Sequence, residues 1–365
     1  MIRTVRSHLN VEAHSHAGMT GKNNEDRYAV ASFVLDNNKM PVLFAVLADG
    51  IGGHRGGEVA ADLAVNHIVQ AAAKSDGRQI RHTIEDVIVE ASDAIAAHSA
   101  SQEDLKGMGS TCALAWIVGD KLHTATVGDS RIYLMRAGRI QQLSTDHTWV
   151  QEAIEKGILT PERAREHPNV HVIRRYLGSP EPPEPDFRLR WFDDDEGDTG
   201  DEGKQGVQLL PDDVLLLCSD GLTDLVWDDE ILEIVRSKPT LKEASRSLVE
   251  LANSRGGHDN TTVILISVPS NFKLTVKNNA GWLPWVIGGL AGVMLILVVG
   301  TLLTFGLLRR NSNFTSTPTI RPLFTETPLL QPTNTQVLPA ATVTPELILP
   351  IAPTYTPWPT NTLIP

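Results

Sequence analysis

The sequence predicts an α+β fold in which antiparallel sheets form a layered sandwich with helices on its outer faces. Short apolar runs, several of them rich in Val and Ile, recur along residues 1–268 and are typical of strands. The runs between residues 110 and 135 follow one another without room for helices, which favours antiparallel pairing. Long helical patterns occupy other parts of the same region, and helices that cover sheets give a layered architecture.

The individual elements are predicted from their own patterns. Residues 57–74 and 80–99 carry apolar side chains at helical spacing. A third helix begins at Thr240, which forms a capping-box pattern with Glu243. The apolar runs with the length of strands are residues 41–48, 110–118, 122–127, 131–135, 207–210, 213–218 and 261–268.

The composition limits the class of protein. The chain has 365 residues, 41% of them hydrophobic, which is ample for a sizeable core. Its net charge of −12, with no basic patch to offset it, argues against nucleic acid as a partner. Part of the acidity lies in DDDEGDTGDE, residues 193–202, which we expect to form a solvated loop. Cys112 and Cys218 both lie in apolar runs and are expected to be buried thiols without a disulfide.

The composition changes sharply near residue 269. Residues 282–308 carry no charge over 27 positions, which is long enough to cross a bilayer, and tryptophans at one end and arginines at the other are typical interface anchors. The first ten residues lack the apolar core of a signal peptide, so we expect a cytoplasmic domain before the span and a tail outside. The predicted regions are a folded domain at 1–268, a juxtamembrane linker at 269–281, a single-pass transmembrane helix of the cell membrane at 282–308 and a Pro/Thr-rich disordered tail at 309–365.

Carboxylates at the ends of predicted strands are the candidate functional residues. A single Asp-Gly at a strand end is most simply a turn, but several in one domain predict a cation site. Oxygen ligands without cysteine select Mg²⁺ or Mn²⁺, and a carboxylate shared by two such ions can hold a water for attack on phosphorus. Gly50 lets the backbone come close, so that its carbonyl is a further candidate ligand. The aspartates concerned are Asp26, Asp49, Asp129, Asp220 and Asp259.

Other phosphate chemistries do not fit the sequence. The glycines after Asp49 lack the third glycine of a dinucleotide fingerprint, since Arg55 stands there, and no Gly-Lys-Ser/Thr follows. A cysteine nucleophile would need Cys-x5-Arg, which neither Cys112 nor Cys218 begins. An aspartyl-phosphate enzyme would need Asp-x-Asp after a strand, which is absent at Asp49 and at Asp220. A metal-activated water therefore remains the favoured nucleophile.

Several motifs follow one another along residues 10–268. They read NNED, ADGIGGHRGGE, GSTCALAWI, VGDSRIYLM, STDHTWV, LLLCSDGLTDLV and GGHDNTTVILI. This ordered set resembles the protein phosphatase 2C family of metal-dependent serine/threonine phosphatases, especially its bacterial branch. The resemblance implies a four-layer αββα sandwich of two antiparallel sheets flanked by helices. It also implies hydrolysis of phosphoserine and phosphothreonine on proteins, opposing a serine/threonine kinase or acting on an anti-anti-sigma-type protein.

The resemblance also implies roles for the strand-end residues, with Mn²⁺ or Mg²⁺ as the cofactor. Asp49 would bridge two core ions, and Gly50 would bind one of them through its carbonyl. Asp220 and Asp259 would complete the ligands of the other ion. Asp26 would orient ligand waters or bind an ion directly.

Further roles follow from the same resemblance. Asp129, together with Asp220, matches the pair that holds a third, weaker ion in bacterial members of the family. Residues 147–180 match a mobile flap beside the site. His54 is either a general acid for the leaving alkoxide or a hydrogen-bond donor to the carboxylates.

One position departs from the family pattern. Bacterial members usually carry an arginine three residues before Asn-Glu-Asp, where it grips the substrate phosphate, but this chain has Gly21. Lys22 supplies a point charge without the two-pronged geometry of arginine, and Arg27 or Arg55 are the other candidate cations. The departure leaves a second hypothesis open, a non-catalytic phosphoprotein-binding or scaffolding module on the same fold. Turnover of a phosphorylated substrate would distinguish the two.

Overall fold

A computed structural model describes residues 1–52, 56–192, 204–273 and 294. The strands and helices below lie in the first of two units of the chain, Met1–Gly289; in the second, Leu290–Pro365, only Met294 is described. The strands are β1 Ile2–Thr4, β2 Asn10–His16, β3 Arg27–Val34, β4 Pro41–Ala48, β5 Gly50–Ile51, β6 Gly109–Ser110, β7 Cys112–Val118, β8 Lys121–Val127, β9 Arg131–Arg136, β10 Arg139–Gln142, β11 Val207–Gln208, β12 Val214–Cys218 and β13 Thr261–Ser267. The helices are α1 Gly56–Lys74, α2 Ile80–Ser101, α3 Trp149–Glu155, α4 Pro161–Arg165, α5 Asp220–Thr223, α6 Asp228–Ser237 and α7 Leu241–Ser254.

The strands form two large antiparallel sheets. The first has the order β1-β3-β4-β7-β8-β11 and the second the order β10-β9-β12-β13-β2. Neighbouring strands are antiparallel throughout, as the close succession of strands between residues 110 and 135 predicted. The short strands β5 and β6 form a separate ribbon beside the end of β4.

The sheets pack face to face, with helices on both outer faces. Along β4, Leu43 and Leu47 join a buried cluster that also contains Leu217 of the second sheet. The alternate residues of β4 face the other way, where Phe44 and Trp116 meet edge to face at 5.3 Å in a cluster shared with α1 and α2. A third cluster joins the outer face of the second sheet to α7. Because side chains alternate along a strand, central strands buried on both faces appear in the sequence as continuous apolar runs. The predicted αββα layering is confirmed.

Most predicted elements match the observed ones closely. The predicted helices 57–74 and 80–99 correspond to α1 and α2, and Thr240 caps α7 by accepting a hydrogen bond from the Glu243 backbone N–H at 3.2 Å. The predicted strand 110–118 is interrupted at Thr111, which separates β6 from β7. The strand β2 was not predicted, because its sequence NVEAHSH lacks an apolar run; β2 lies at the edge of its sheet.

The described part of the chain contains no helix that is both long and apolar enough to cross a membrane. The predicted transmembrane helix, 282–308, and the predicted tail, 309–365, lie outside the described residues except for Met294. The predicted acidic loop, 193–202, also lies outside them. These three predictions therefore stay predictions.

Candidate metal centre

The five candidate aspartates lie at strand ends in both sheets. Asp26 directly precedes β3, and Asp49 directly follows β4, its antiparallel neighbour, so the two residues lie at the same edge of the first sheet. Asp129 follows β8 after one glycine. In the second sheet, Asp220 begins α5 just after β12, and Asp259 lies just before β13, which pairs with β12. The antiparallel pairing thus brings residues far apart in sequence to one end of the sandwich.

Asp49 is held in place through its backbone. Its N–H donates to the Thr111 hydroxyl at 2.9 Å, and its carbonyl accepts from the Thr111 N–H at 2.8 Å and from the Ser110 hydroxyl at 3.0 Å. The Ser130 and Thr111 hydroxyls are themselves hydrogen-bonded at 2.7 Å. The interruption of the predicted strand at Thr111 therefore places the Ser110 and Thr111 hydroxyls against the end of β4.

Burial, and then repulsion from neighbouring carboxylates, raises the pKa of four aspartates of the centre. The pKa of Asp49 is held well above its ordinary value by desolvation and by repulsion from Asp26, Asp220, Asp129 and Asp259. Burial raises the pKa of Asp26 to about 6 and that of Asp129 to about 7. The pKa of Asp220 is also raised, by burial and then by the neighbouring aspartates. Such a cluster favours a bound cation, which removes the repulsion.

The donor atoms fit hard divalent cations. Among the described residues, the buried Oδ1 atoms of Asp26 and Asp220 accept no hydrogen bond. A buried carboxylate oxygen without a partner is costly unless a proton or a metal ion satisfies it. The set offers oxygen ligands and no thiol, since Cys112 and Cys218 are buried in the apolar clusters. The residues present therefore suit Mn²⁺ or Mg²⁺.

Two glycines allow the close backbone contacts on which the centre depends. A Cβ added to Gly50 would lie 2.2 Å from the Gly57 carbonyl oxygen at the start of α1. A Cβ added to Gly221 would lie 2.1 Å from the Asn260 carbonyl oxygen. The second contact presses the Asp220–Gly221 turn against the segment that carries Asp259. Gly50 thus permits close contact with the start of α1, and its role as a carbonyl ligand stays a prediction.

We expect Gly221→Ala to destabilise the fold by about 1–3 kcal/mol, the usual range for overpacking. The added methyl group forces the Asp220 turn away from Asn260, so Mn²⁺ affinity should fall as well. Urea denaturation and calorimetric titration measure the two effects. Gly107→Ala is the control for Mn²⁺ affinity, because its Cβ would meet no atom within 4 Å; its φ of +78° disfavours alanine, so any loss of stability there has a different cause. Unchanged Mn²⁺ affinity in Gly221→Ala would show that this contact does not position the site.

Two polar residues that the sequence analysis did not assign complete the centre. Asn260 accepts a hydrogen bond from the Glu25 N–H at 2.6 Å and donates to the Ala17 and Asn23 carbonyls, both at 3.1 Å. Ser219 donates to Asp26 Oδ2 at 2.8 Å. Each follows or precedes a predicted ligand in sequence, and this adjacency is the signal that was available for them.

The candidate phosphate-binding cations differ in the partners that they contact. Arg27 donates to the Asn24 and Asp26 carbonyls and forms an ion pair with Glu58 at 2.6 Å, so its guanidinium supports the Asn-Glu-Asp loop. Lys22 is exposed. Its positive charge acts on Glu25: desolvation and Asp259 raise the pKa of Glu25, and Lys22 lowers it. Arg55 and the candidate general acid His54 lie outside the described residues.

Gly21, the departure from the family pattern, lies exposed at φ +76°. A Cβ added there would meet no atom within 4 Å. A side chain at this position therefore has room. The only expected loss of stability comes from the left-handed backbone conformation, which residues other than glycine rarely adopt.

A cleft of about 730 Å³ lies beside the centre. One wall comes from the predicted flap, residues 147–180, which contains α3 and α4 and contributes Arg165 and His171. The other includes Gly221, Asp224 and Asp259. The Arg165 side chain crosses to donate to the Thr223 carbonyl at 2.8 Å. The structure thus places the flap next to the carboxylates, as predicted.

A sandwich of two antiparallel sheets with clustered carboxylates at one end, beside a cleft, is the arrangement of a metal-dependent phosphatase. Residues 13–257 match the sequence profile of the family described as protein phosphatase 2C. The chain belongs to this family.

Curated relatives and solved structures agree with this assignment. The chain is 34% identical over 262 residues to the serine/threonine phosphatase stp of Listeria innocua, covering 71% of this chain and 95% of that protein. It is 35% identical over 260 residues to the serine/threonine protein phosphatase PstP of Mycobacterium tuberculosis, covering 71% of this chain and 45% of the relative. The structure of the S. agalactiae serine/threonine phosphatase matches with a TM-score of 0.61 at 33% identity, over 71% of this chain and 99% of that one. The catalytic domain of PstP in complex with two manganese ions matches with a TM-score of 0.59 at 33% identity, over 72% of this chain and 98% of that one.

Proposed function

We propose that this chain dephosphorylates phosphoserine and phosphothreonine in proteins at the carboxylate centre. Metal-dependent dephosphorylation of serine and threonine residues is the activity of the family to which it belongs. The observation that carries the assignment to this site is the set of buried, unpaired carboxylate oxygens of Asp26 and Asp220 beside an open cleft. The proposed ligands of the ions are Asp26, Asp49, Gly50, Asp129, Asp220 and Asp259.

The chain's own residues position these groups. Bound Mn²⁺ or Mg²⁺ would supply an activated water for attack on phosphorus. Ser219 and Arg27 hold the segment that carries Asp26, and Thr111 holds Asp49. Lys22 is the proposed source of positive charge for the phosphoryl group, and His54 is proposed to protonate the leaving alkoxide.

An assay of the purified full chain tests this proposal. Aryl phosphate and a phosphothreonine peptide are incubated with the protein, with Mn²⁺ and with a chelator. We expect phosphate release from both substrates with Mn²⁺ and none with the chelator. Binding of the phosphopeptide without any release at saturating Mn²⁺ would favour the alternative, a non-catalytic phosphoprotein-binding module.

We expect Gly21→Arg to lower KM for aryl phosphate by a few-fold. Charge-assisted bonds from a guanidinium to phosphate are stronger than a single ammonium contact, with about 1.5–3 kcal/mol as the upper range before solvent screening. Lys22→Ala should raise KM, because the proposed charge is lost. Gly107→Arg is a matched control, since it adds the same charge at a φ of +78° with open space around it, in a segment apart from the Asn-Glu-Asp loop. If Gly21→Arg and Lys22→Ala both leave KM unchanged, another group holds the phosphate.

We further propose that residues 282–308 anchor the protein in the cell membrane, with the phosphatase domain cytoplasmic and the tail outside. The support is the uncharged 27-residue run with aromatic and arginine anchors. Phosphorylated proteins, and a serine/threonine kinase whose products it reverses, are the proposed partners. Fractionation should place the full chain with membranes, and protease added to intact cells should trim only the tail. Degradation of residues 1–268 in that experiment would reverse the proposed topology.

A further inference from the structure

One end of the sandwich lies opposite the metal centre. β3 begins beside Asp26 and β4 ends beside Asp49, so the turn that joins them lies at the other end of the first sheet. β13 likewise begins just after Asp259 and runs away from the centre to Ser267. At about 3.3 Å per residue, β4 separates the two ends by roughly 25 Å. We call this second end the distal end; its segments are residues 2–9, 35–40, 119–121, 209–213 and 268–273.

Contacts between distant segments assemble the distal end into one surface. His8 Nε2 donates to the Gly119 carbonyl at 2.9 Å, and its ring lies 6.1 Å from that of Phe272. The Leu209 N–H donates to the Asp120 carbonyl at 2.8 Å. The segment between β1 and β2 therefore crosses this end beside the β7–β8 turn and the last described residues of the domain.

The distal end is basic, although the chain has a net charge of −12. Of its four carboxylates, Asp213 is buried in an ion pair with Arg136, and Asp120 is only partly exposed and accepts a hydrogen bond from Gln208. Asp36 and Asp212 are exposed. Five exposed cations face these carboxylates, and none of the five forms an ion pair within 4 Å with another described residue. They are Arg3, Arg6, Lys39, Lys121 and Lys273.

Large apolar side chains are exposed among these cations. Val5 is fully exposed, and Ile2 and Leu210 are 48% and 42% exposed. Apolar side chains surrounded by Lys and Arg are the combination that binds an anionic bilayer surface. The apolar groups enter the boundary between headgroups and acyl chains, and the cations meet the lipid phosphates.

The described domain also ends here, at Lys273. Residues 274–281 separate Lys273 from the predicted span, and a chain of that length reaches at most about 30 Å. The membrane anchor proposed above therefore keeps the distal end close to the bilayer. Such a tether raises the local concentration of lipid, so a modest patch of charge and apolar area is sufficient for binding.

We propose that the distal end docks on anionic lipid headgroups through Ile2, Val5, Arg3 and Arg6. This inference rests on the membrane anchor of the proposed function and adds the surface by which the tethered domain lies on the bilayer. Docking at this end directs the metal centre away from the lipid, towards the phosphorylated proteins that it is proposed to hydrolyse.

A fluorescent thiol label tests the docking in the full chain reconstituted into vesicles. The chain has two cysteines, Cys112 and Cys218, and both are buried, so Val5→Cys supplies a single reactive thiol. Bimane at position 5 should shift to shorter wavelength and be quenched by spin-labelled lipid in vesicles of phosphatidylcholine with phosphatidylglycerol. Both effects should be much smaller in phosphatidylcholine alone. Met19→Cys is the matched control, an apolar residue 63% exposed whose N–H donates to the Gly257 carbonyl beside the metal centre.

Charge reversal identifies the cations that bind lipid. Arg3→Glu combined with Arg6→Glu should lower the ratio of docked to free label about fivefold or more, and high salt should act in the same direction. Lys156→Glu combined with Arg163→Glu makes the same change in net charge at exposed positions on the flap and should leave docking unchanged. Equal losses of docking in the two double variants would overturn the assignment to the distal end.

The remaining outcomes separate docking from the proposals on which it rests. Equal quenching at positions 5 and 19, or equal quenching with and without phosphatidylglycerol, would overturn docking. A wavelength shift at position 5 that needs no vesicles and grows with protein concentration would overturn it in favour of contact between two copies. Flotation with phosphatidylcholine vesicles in high salt tests the anchor separately, and a chain that stays in solution would reject the anchor while the label still decides on docking. Docking without hydrolysis of aryl phosphate at saturating Mn²⁺ would reject the proposed activity alone.

Discussion

Replacing Asp49 with asparagine should reduce kcat for aryl phosphate by a factor of about 10³ or more at saturating Mn²⁺. Metal activation lowers the activation barrier by several kcal/mol, and about 1.4 kcal/mol corresponds to a tenfold change in rate. An amide keeps the shape of the carboxylate but removes the charge that holds the ions. Asp220→Asn should act in the same direction. Calorimetric titration should show weaker Mn²⁺ binding in both variants.

The same substitution should stabilise the metal-free protein. The pKa of Asp49 is raised by desolvation and by four neighbouring aspartates, so removing its charge relieves repulsion in the absence of metal. A higher melting temperature in chelator together with lost activity would separate a ligand role from simple unfolding. Asp93→Asn is the control, because Asp93 is exposed on α2. Near-normal turnover of Asp49→Asn at high Mn²⁺ would show that the ligand is wrongly assigned.

Asp129→Ala separates the third ion from the core. If Asp129 serves a peripheral ion, this variant should keep tight binding of the core ions and lose part of its turnover. Titration with Mn²⁺ and steady-state kinetics measure these two quantities. Loss of all tight binding would place Asp129 among the core ligands instead.

The parts of the fold that were predictable are those whose signal is local. β4, β12 and β13 are buried on both faces, so their sequences are continuous apolar runs. β2 was missed because it lies at a sheet edge and alternates polar residues that are half-buried. Burial on both faces, and not importance for the site, therefore made these three strands recognisable from the sequence.

The residues of the site likewise fall into those with a local sequence signal and those without one. The strand-end aspartates were recognisable because an apolar run that ends in Asp-Gly is a local pattern. The groups that hold them depend on contacts between distant residues, which a single sequence does not reveal. Thr111 lies 62 residues from Asp49, and Asn260 lies 235 residues from Glu25.

The metal-free protein should become less stable as the pH rises from about 4 to about 7. The pKa of Asp26 is raised from 3.8 to about 6 and that of Asp129 from 3.8 to about 7, so in this window the folded state keeps protons that the unfolded state has released. The free energy of unfolding falls with pH wherever the unfolded state binds fewer protons. One pKa unit corresponds to about 1.4 kcal/mol, so the expected loss is several kcal/mol.

Mn²⁺ should reverse the sign of this pH dependence. Metal ligands must be deprotonated, so ion binding competes with protons and stabilises the folded state more as the pH rises. Thermal melts at pH 4, 5, 6 and 7, in chelator and in excess Mn²⁺, should therefore diverge above pH 5. Asp49→Asn should flatten the chelator curve, because the variant lacks the raised pKa of Asp49 itself, and Asp93→Asn should not. Parallel curves with and without Mn²⁺ would mean that these carboxylates do not exchange protons for metal ions, and the centre would need a different set of ligands.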